Sequence, residues 1–446
     1  MDFLLERLAR HGAAPFFVGR DGEHRYADLL RDIDAWRVRL AERGIAPGQS
    51  VALAADYGPD AIALLLALLL NRNVAVPLGN PSGETRQRLL TEARAVGCFS
   101  ATPDGRWEYE ALPPTPDHPL LAQLRDLGEA GAIIFTSGSS GIPKAALLRP
   151  TRLAESFLNK KPNTHRTLTF LKMDHIGGLN TLFSILMGGG AIVASADRNP
   201  DDICRAIERH RVELLPTTPT FLNMLILADA RQRHDLSSLK LITYGTEPMP
   251  VSTLKAVARA FPGVALKQTY GLTELGIMAT RSKDTESTWM KVGGEGVETR
   301  IVDGVLWIRA ATAMLGYLNA PTPFDAEGWY NTGDLVEVDG DYLRVLGRER
   351  EIINVGGEKV YPAEVESVLL ELPNVTGAVV QGKRNPVTGQ IVVATVTLEH
   401  EESKDALERR IHAHCAGRLE RYKIPSLIFV ASKSLMGERF KQVRTV

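Results

Sequence analysis

Thr136-Ser137-Gly138-Ser139-Ser140-Gly141-Ile142-Pro143-Lys144 is the stretch whose reading decides the fold. It lies between two short apolar runs, Ala132-Ile133-Ile134-Phe135 and Ala145-Ala146-Leu147-Leu148. Both runs have strand length, so the nine residues read as a loop joining two strands. The two glycines let the backbone turn and approach a ligand closely, with successive N–H groups facing one way. Four hydroxyls add neutral donors, and Lys144 adds a mobile positive charge. Such a loop is a cradle for a polyphosphate. It does not fit G-x-x-x-x-G-K-[ST], and strand rather than helix follows it, which disfavours a Walker-type site. Taken alone, the stretch also reads as a solvated Ser/Gly linker.

On the N-terminal side, residues 50–55 read as a buried strand, 60–70 as a helix and 74–77 as a second strand. That order implies a right-handed crossover in a parallel sheet. Residues 85–96 look helical, and 102–119, with five prolines, read as a loop leading into the cradle. Beyond the cradle a helix is expected over 151–159, a strand over 168–171 and a helix over 180–187, stopped by Gly188-Gly189-Gly190. The alternation continues through 191–195, 200–210, 212–216, 239–244, 252–261 and 264–269. The fold class is therefore α/β, with layered sheets in a large N-terminal domain. From about residue 299 the pattern changes to short β segments with Gly and Asp-Gly turns, as in 300–308 and 336–346, which marks a small β-rich subdomain. A break near 347–350 leaves about a hundred residues, the size of one small α+β domain. The expected division is 1–347 and 348–446.

Composition narrows the function classes. A chain of 446 residues is too long for one ordinary core. Its 44% hydrophobic and 24% charged content is that of a globular protein. Lys plus Arg number 52 against 53 acidic residues, a net charge of −1, which points to neither a nucleic-acid nor a membrane-surface partner. Cys98, Cys204 and Cys415 lie far apart without a CxxC pair, so structural zinc and a disulfide framework are disfavoured and a reducing compartment fits. The N-terminus, Met1 to Leu8, has helical apolar spacing and lacks the basic start and apolar core of a signal peptide. The longest apolar run, 61–70, is too short to span a bilayer. A cytoplasmic protein is expected.

A second motif, Tyr270-Gly271-Leu272-Thr273-Glu274, ends a strand-like run. Ligands of α/β sheets bind beyond the carboxyl ends of strands. There an aromatic ring can stack on a base, Thr273 can donate to a phosphate, and Glu274 is a hard oxygen ligand suited to Mg²⁺. With this motif the chain resembles the adenylate-forming superfamily of acyl-CoA synthetases, luciferases and peptide-synthetase adenylation domains. The resemblance continues through Tyr330-Asn331-Thr332-Gly333-Asp334-Leu335, Gly347-Arg348 and Gly356-Gly357-Glu358-Lys359-Val360-Tyr361-Pro362, in the family's order, from about residue 130 to the C-terminus.

The resemblance implies roles for these residues. Thr136, Ser137, Gly138, Ser139, Ser140, Gly141 and Lys144 hold the β- and γ-phosphates of ATP. Gly245-Thr246-Glu247-Pro248 borders the adenine, on which Tyr270 stacks. Thr273 contacts the α-phosphate and Glu274 holds Mg²⁺. Asp334 accepts both ribose hydroxyls, and Arg348 also reaches the ribose. His175, in Met173-Asp174-His175-Ile176-Gly177-Gly178-Leu179, matches the His-x-x-Gly of acyl-CoA ligases near the acid, with Gly178, Tyr244 and Gly271 completing that pocket. Amino-acid-activating relatives place an aspartate at this position, so histidine argues for an acid without an α-amine.

The remaining implications concern the C-terminal domain. Gly356, Gly357 and Glu358 line a channel for the pantetheine arm of coenzyme A, a tunnel that a carrier protein's phosphopantetheine would also use. Arg350, two residues after the ribose arginine, occupies the pivot about which this domain rotates between half-reactions; aspartate is the usual residue there, lysine a variant. The family's Gly-Lys-x-x-Arg tail appears as Phe440-Lys441-Gln442-Val443-Arg444, with phenylalanine in place of glycine. Two readings compete: Lys441 is the adenylation lysine, or that lysine has been lost and Lys441 is a tail charge. The implied activity is ATP- and Mg²⁺-dependent conversion of a small carboxylic acid to an acyl-adenylate, then to a thioester of coenzyme A or of an acyl carrier protein. A non-catalytic ATP- or AMP-binding protein is the reading from another class.

Overall fold

Helix Pro59–Leu70 is apolar all round, with residues 61–69 all buried. A helix of that kind needs protein on every side. It finds it in a core shared by two sheets, with Val51, Leu53, Ala75 and Ile134 from one and Phe16, Phe17 and Ile192 from the other. Helix Ile176–Gly188 joins the same core through Leu179, Leu182, Phe183, Ile185 and Leu186. Truncating one such leucine to alanine costs about 2–5 kcal/mol. A computed structural model describes residues 1–19, 22–79, 81–136, 143–195, 197–431 and 435.

The first sheet runs, in spatial order, Gly316–Tyr317, Lys144–Leu148, Gly131–Thr136, Val74–Leu78, Ser50–Ala54, Ala95–Ala101 and Trp107–Ala111. Ser50–Ala54 and Val74–Leu78 pair in parallel, as the strand–helix–strand reading requires. Gly131–Thr136 and Lys144–Leu148 pair antiparallel, with Thr136 opposite Lys144, so the cradle is the loop of a β-hairpin. The second sheet carries the parallel strands Leu214–Thr217, Leu241–Tyr244 and Ala265–Gln268, whose carboxyl ends stop at one level. A third sheet, antiparallel and built from residues 270–348, has its own small core around Leu275, Met290, Ile308 and Leu343. The last sheet, within 353–430, closes over a separate core of Val365, Leu369, Val380, Ala394 and Ile411.

Among the local boundaries that differ from expectation, the following have a physical reason. The helix expected over 85–96 is Gly83–Glu92; Arg94 takes φ +51° and Ala95 begins a strand. The Pro-rich 102–119 stretch is not all loop. Its Pro103-Asp104-Gly105 turn folds Trp107–Ala111 back antiparallel on Ala95–Ala101, with Gly105 N donating to Thr102 O at 2.9 Å. The strand expected over 168–171 is Arg166–Leu168, after which the chain leaves the sheet. The helix expected over 180–187 starts at Ile176, because the His175 ring caps it despite two glycines in its first turn.

Candidate active site

The carboxyl ends of these strands open into one cleft of about 1820 Å³ between the two α/β sheets, the antiparallel sheet and the C-terminal unit. At one end stand Thr136 and Lys144, the two feet of the loop expected to cradle phosphate. Ser137, Gly138, Ser139, Ser140 and Gly141 lie outside the described residues. The base of the loop is stapled by Asn319, which accepts from Ala145 N at 2.8 Å and donates to Pro143 O at 2.9 Å. Lys144 Nζ sits 5.0 Å from the centre of the Tyr317 ring. The Tyr317 hydroxyl donates to Glu274 Oε1. Burial and the neighbouring Glu274 carboxylate push the Tyr317 phenol well above its ordinary value, so it stays a donor. Glu274 is 8% exposed and its carbonyl accepts from Met314 N at 2.9 Å. The segment 314–319 therefore sets both the cradle and the acidic residue facing it. Sequence reading missed Tyr317 and Asn319; the one local signal was the Gly316-Tyr317-Leu318-Asn319 run, an aromatic and an amide on a two-residue strand.

The second corner is built on the hairpin that places Asp334 opposite Arg348. Asp334 is 5% exposed. Its Oδ1 faces Arg348 Nε at 2.8 Å, and its Oδ2 accepts from the Tyr270 hydroxyl at 2.5 Å. Arg348 also donates to Thr332 O at 2.9 Å, and the Thr332 hydroxyl donates to Leu306 O at 2.6 Å. Burial pushes the Asp334 carboxyl above the usual aspartate range, while Arg348 and Tyr270 pull it back. A carboxylate has about four lone-pair sites, so these two partners leave capacity for further donors. The Tyr270 phenol is held well up by burial and by Asp334.

Between these corners runs Gly245-Thr246-Glu247-Pro248, all four lining the cleft. A Cβ at Gly245 would collide with Thr269, and one at Gly271 with Ile277 and the Gly276 carbonyl, so both stay bare. Thr246 takes φ +77°, strained backbone for a β-branched residue. The Glu247 carboxylate accepts from Thr220 N at 2.7 Å and so serves the start of helix Pro219–Leu227. Thr273 lines the cleft beside Glu274.

His175 and Gly271, expected at the acid, both line the cleft. His175 Nδ1 accepts from Gly177 N at 3.0 Å, which assigns the ring proton of the neutral form to Nε2. Gly178 and Tyr244 stand behind the wall. A Cβ at Gly178 would run into the Lys172 carbonyl, its own carbonyl accepts from Tyr57 Oη at 2.9 Å, and Tyr244 is buried in the core that also holds Leu254 and Val257. These two shape the pocket through backbone packing rather than as lining.

The C-terminal unit closes the cleft with helix Pro362–Leu369 and the start of strand Val375–Asn385. Hydrogen bonds cross to it from the large domain: Asn223 Nδ2 donates to Thr376 O at 3.1 Å, and Ser252 Oγ to Ser367 O at 3.2 Å. Arg350 lies on the one-turn connection Glu349–Glu351 and also lines the cleft. Gly356 and Gly357, at φ +61° and +93°, form the two-residue turn of the hairpin Ile353–Val355/Glu358–Val360. That turn and Glu358 are exposed and do not line the cleft. Lys441 lies outside the described residues; Leu435, six positions earlier, lines the cleft.

No three His, Cys, Asp or Glu groups cluster to hold a metal among the described residues. The donor set fits Mg²⁺ nonetheless, since that ion takes one or two carboxylates, substrate phosphates and water rather than an all-protein cage. Glu274, beside the cradle, is the carboxylate so placed. No helix among the described residues is long and apolar enough to cross a membrane.

Known proteins give the same picture. The family model for AMP-binding enzyme matches residues 4–318, and that for AMP-binding enzyme C-terminal domain matches 364–437. The chain is 31% identical to indoleacetate--CoA ligase of Aromatoleum aromaticum, covering 90% of this chain and 88% of the relative. It is 30% identical to 2-succinylbenzoate--CoA ligase of Bacillus cytotoxicus, covering 91% and 90%. The amide bond synthetase McbA from Marinactinospora thermotolerans, at 24% identity, superposes with a TM-score of 0.79 over 99% of this chain and 98% of that one, a likeness of fold. With a family model matching residues 4–318, more than half of its length, and a second matching 364–437, the chain belongs to the AMP-binding enzymes.

Proposed function

We propose that this enzyme joins a carboxylic acid to coenzyme A in two steps, through an acyl-adenylate. The observation that carries this reading is the meeting, in one cleft, of the Lys144–Tyr317–Glu274 cluster with the Asp334–Arg348–Tyr270 corner. The first suits a polyphosphate and the second a nucleoside, so ATP spans them. The names of the two relatives above, both CoA ligases, support the same acceptor.

In the first step the acid's carboxylate oxygen attacks the α-phosphorus and pyrophosphate leaves. Two anions must approach, and at about 4 Å like charges repel by roughly 4 kcal/mol at an effective dielectric near 20. Lys144 and the cradle hold the departing phosphates. Thr273 donates to the α-phosphate, and Lys441 supplies positive charge where it builds up. Mg²⁺, when bound, neutralises phosphate charge; Glu274 is the residue that would hold it. The tail can deliver Lys441, since six residues beyond Leu435 reach up to ~20 Å when extended. Gly245–Pro248 (residues 245–248) borders the adenine and Tyr270 stacks on it, while Asp334 and Arg348 hold the ribose. His175 faces the acid.

In the second step a thiol attacks the acyl carbonyl carbon and AMP leaves. We place the division of the chain at 347/348 and the pivot at Arg350. Rotation there brings Gly356, Gly357 and Glu358 from the exposed surface to the cleft, where the bare turn admits a slender pantetheine arm. The test is a pyrophosphate-release screen over a panel of carboxylic acids, with and without coenzyme A. The reading expects AMP and pyrophosphate with at least one acid and a CoA thioester only when coenzyme A is present; formation of ADP, or thioester without AMP, would reject it.

A further inference from the structure

We infer that the acid pocket selects a carboxylic acid whose far end is uncharged and offers a hydrogen bond, read by the side-chain amide of Asn180. This rests on the acid-activating reading above. Helix Ile176–Gly188 is apolar almost throughout and packed between two sheets. Three of its side chains are polar, and two are engaged within the protein. Thr181 Oγ donates to Gly177 O at 2.8 Å, and Ser184 Oγ accepts from Asn163 Nδ2 at 3.4 Å. The third, Asn180, lines the cleft, and its amide makes no hydrogen bond among the described residues. Asparagine weakens a helix interior relative to alanine, and packing does not call for it here. The amide is half-buried and open to the cleft, where a bound group can meet it.

Position sets the size of the acid. Asn180 lies five residues beyond His175, about 7.5 Å along the axis at 1.5 Å per residue. A six-membered ring with a short carboxyl-bearing arm and one substituent atom fills such a span. The wall beside it is apolar, with Leu171, Ile176 and Ile277 lining the cleft.

Charge sets the second half of the inference. The basic residues lining the cleft, among those described, are Lys144, His175, Arg348 and Arg350. Lys144 faces Tyr317 and Arg348 faces Asp334, both at the nucleotide end. Neither the pocket helix nor strand Gly276–Ser282, packed against it, contributes a charged lining residue of either sign. A second carboxylate or an ammonium at the acid's far end would lose its water without gaining a partner. A hydroxyl or carbonyl there would meet Asn180, which can donate and accept.

The test compares phenylacetate, 4-hydroxyphenylacetate and 4-carboxyphenylacetate by pyrophosphate release with the full-length enzyme, then with Asn180→Ala and Asn180→Leu. In the unaltered enzyme kcat/KM for the hydroxy acid should exceed that for phenylacetate by about five- to tenfold, the worth of one neutral hydrogen bond. The dicarboxylic acid should fall at least about tenfold below phenylacetate. Both substitutions should bring the hydroxy/plain ratio to within about twofold. A ratio near one in the unaltered enzyme overturns the inference. So does a ratio that survives both substitutions, an equal loss of both acids, or dicarboxylate turnover matching phenylacetate. AMP release with any acid leaves the activation reading standing whatever the ratio, whereas no AMP with any acid rejects both.

Discussion

The nucleoside corner and the glycine hairpin stand about twenty residues apart in sequence and in opposite conditions in the structure. Asp334 is buried, with one oxygen on Arg348 and the other on Tyr270, and it lines the cleft. Gly356 and Gly357 are exposed on the outer side of a unit that turns helix Pro362–Leu369 toward the cleft instead. The first site is ready for its ligand without movement. On the function proposed above, the second reaches the cleft when the unit turns about the connection Glu349–Glu351. Two half-reactions served by one cleft would produce such a division: adenylation parts held fixed, thiol-transfer parts carried on a body that swings. Among the contacts across the present arrangement are two neutral hydrogen bonds, Asn223 to Thr376 and Ser252 to Ser367, each worth about 0.5–1.5 kcal/mol.

The largest expected effect that sharpens this contrast comes from Lys441→Ala. Acyl-AMP formation should slow at least ~10²-fold, the typical cost of one transition-state electrostatic contact. Conversion of supplied acyl-AMP to the CoA thioester should change far less. Equal loss of both steps, measured separately by rapid quench, would place Lys441 outside adenylation, and near-normal acyl-AMP formation would leave it a tail charge.

Arg350→Pro comes next. Proline fixes φ and stiffens the connection, so thioester formation should fall at least about tenfold more than adenylation. Parallel decline of the two rates would argue against a pivot there.

A smaller effect is expected from Tyr317→Phe. It removes the hydroxyl that donates to Glu274 but keeps the ring under Lys144. The loss of one hydrogen bond to a charged group is about 1.5–3 kcal/mol. Adenylation should therefore drop by roughly ten- to a hundredfold at fixed Mg²⁺, with the Mg²⁺ concentration for half-maximal rate raised. A variant with unchanged Mg²⁺ dependence would detach Tyr317 from the metal side of the site.

The smallest is a pH effect at the nucleoside corner. Asp334 has its carboxyl raised by burial above the usual value near 3.9. Its neutral form therefore favours the empty folded state below its unfolded pKa, and that contribution is lost as pH rises through the raised folded value. Ribose hydroxyls need the ionised acceptor, so ATP binding should weaken with falling pH sooner than an ordinary aspartate would require. Calorimetric titration across the acidic range checks this; affinity flat down to the ordinary aspartate value would show that Asp334 stays ionised, or that it does not hold the nucleotide.

Much of this arrangement was legible in the chain because its signals are local. A Ser/Gly loop between two apolar runs gave the cradle hairpin, whereas Tyr270 to Glu274, read as a turn at a strand end, begins with strand Tyr270–Leu272 and turns only at 273–275 to pair with Gly276–Ser282. Asp334 and Arg348 were each readable, yet their pairing across a hairpin was not, since it depends on strand register. Tyr317 and Asn319 carry no periodicity; the pairing of Gly316–Tyr317 with Lys144–Leu148 alone brings them to the site. Asn180 was hidden differently, as a polar residue in a helix whose other side chains made it look like core. The family resemblance put Gly178 and Tyr244 at the acid, and packing sets them one layer back.

The account depends most on a cleft that couples acid to nucleotide, and acid-dependent exchange of labelled pyrophosphate into ATP tests it directly. With a suitable acid and magnesium present, and coenzyme A omitted, exchange should proceed, and Asp334→Ala should abolish most of it. Exchange that runs equally well without acid, or that never appears across a broad panel of acids, would contradict the account.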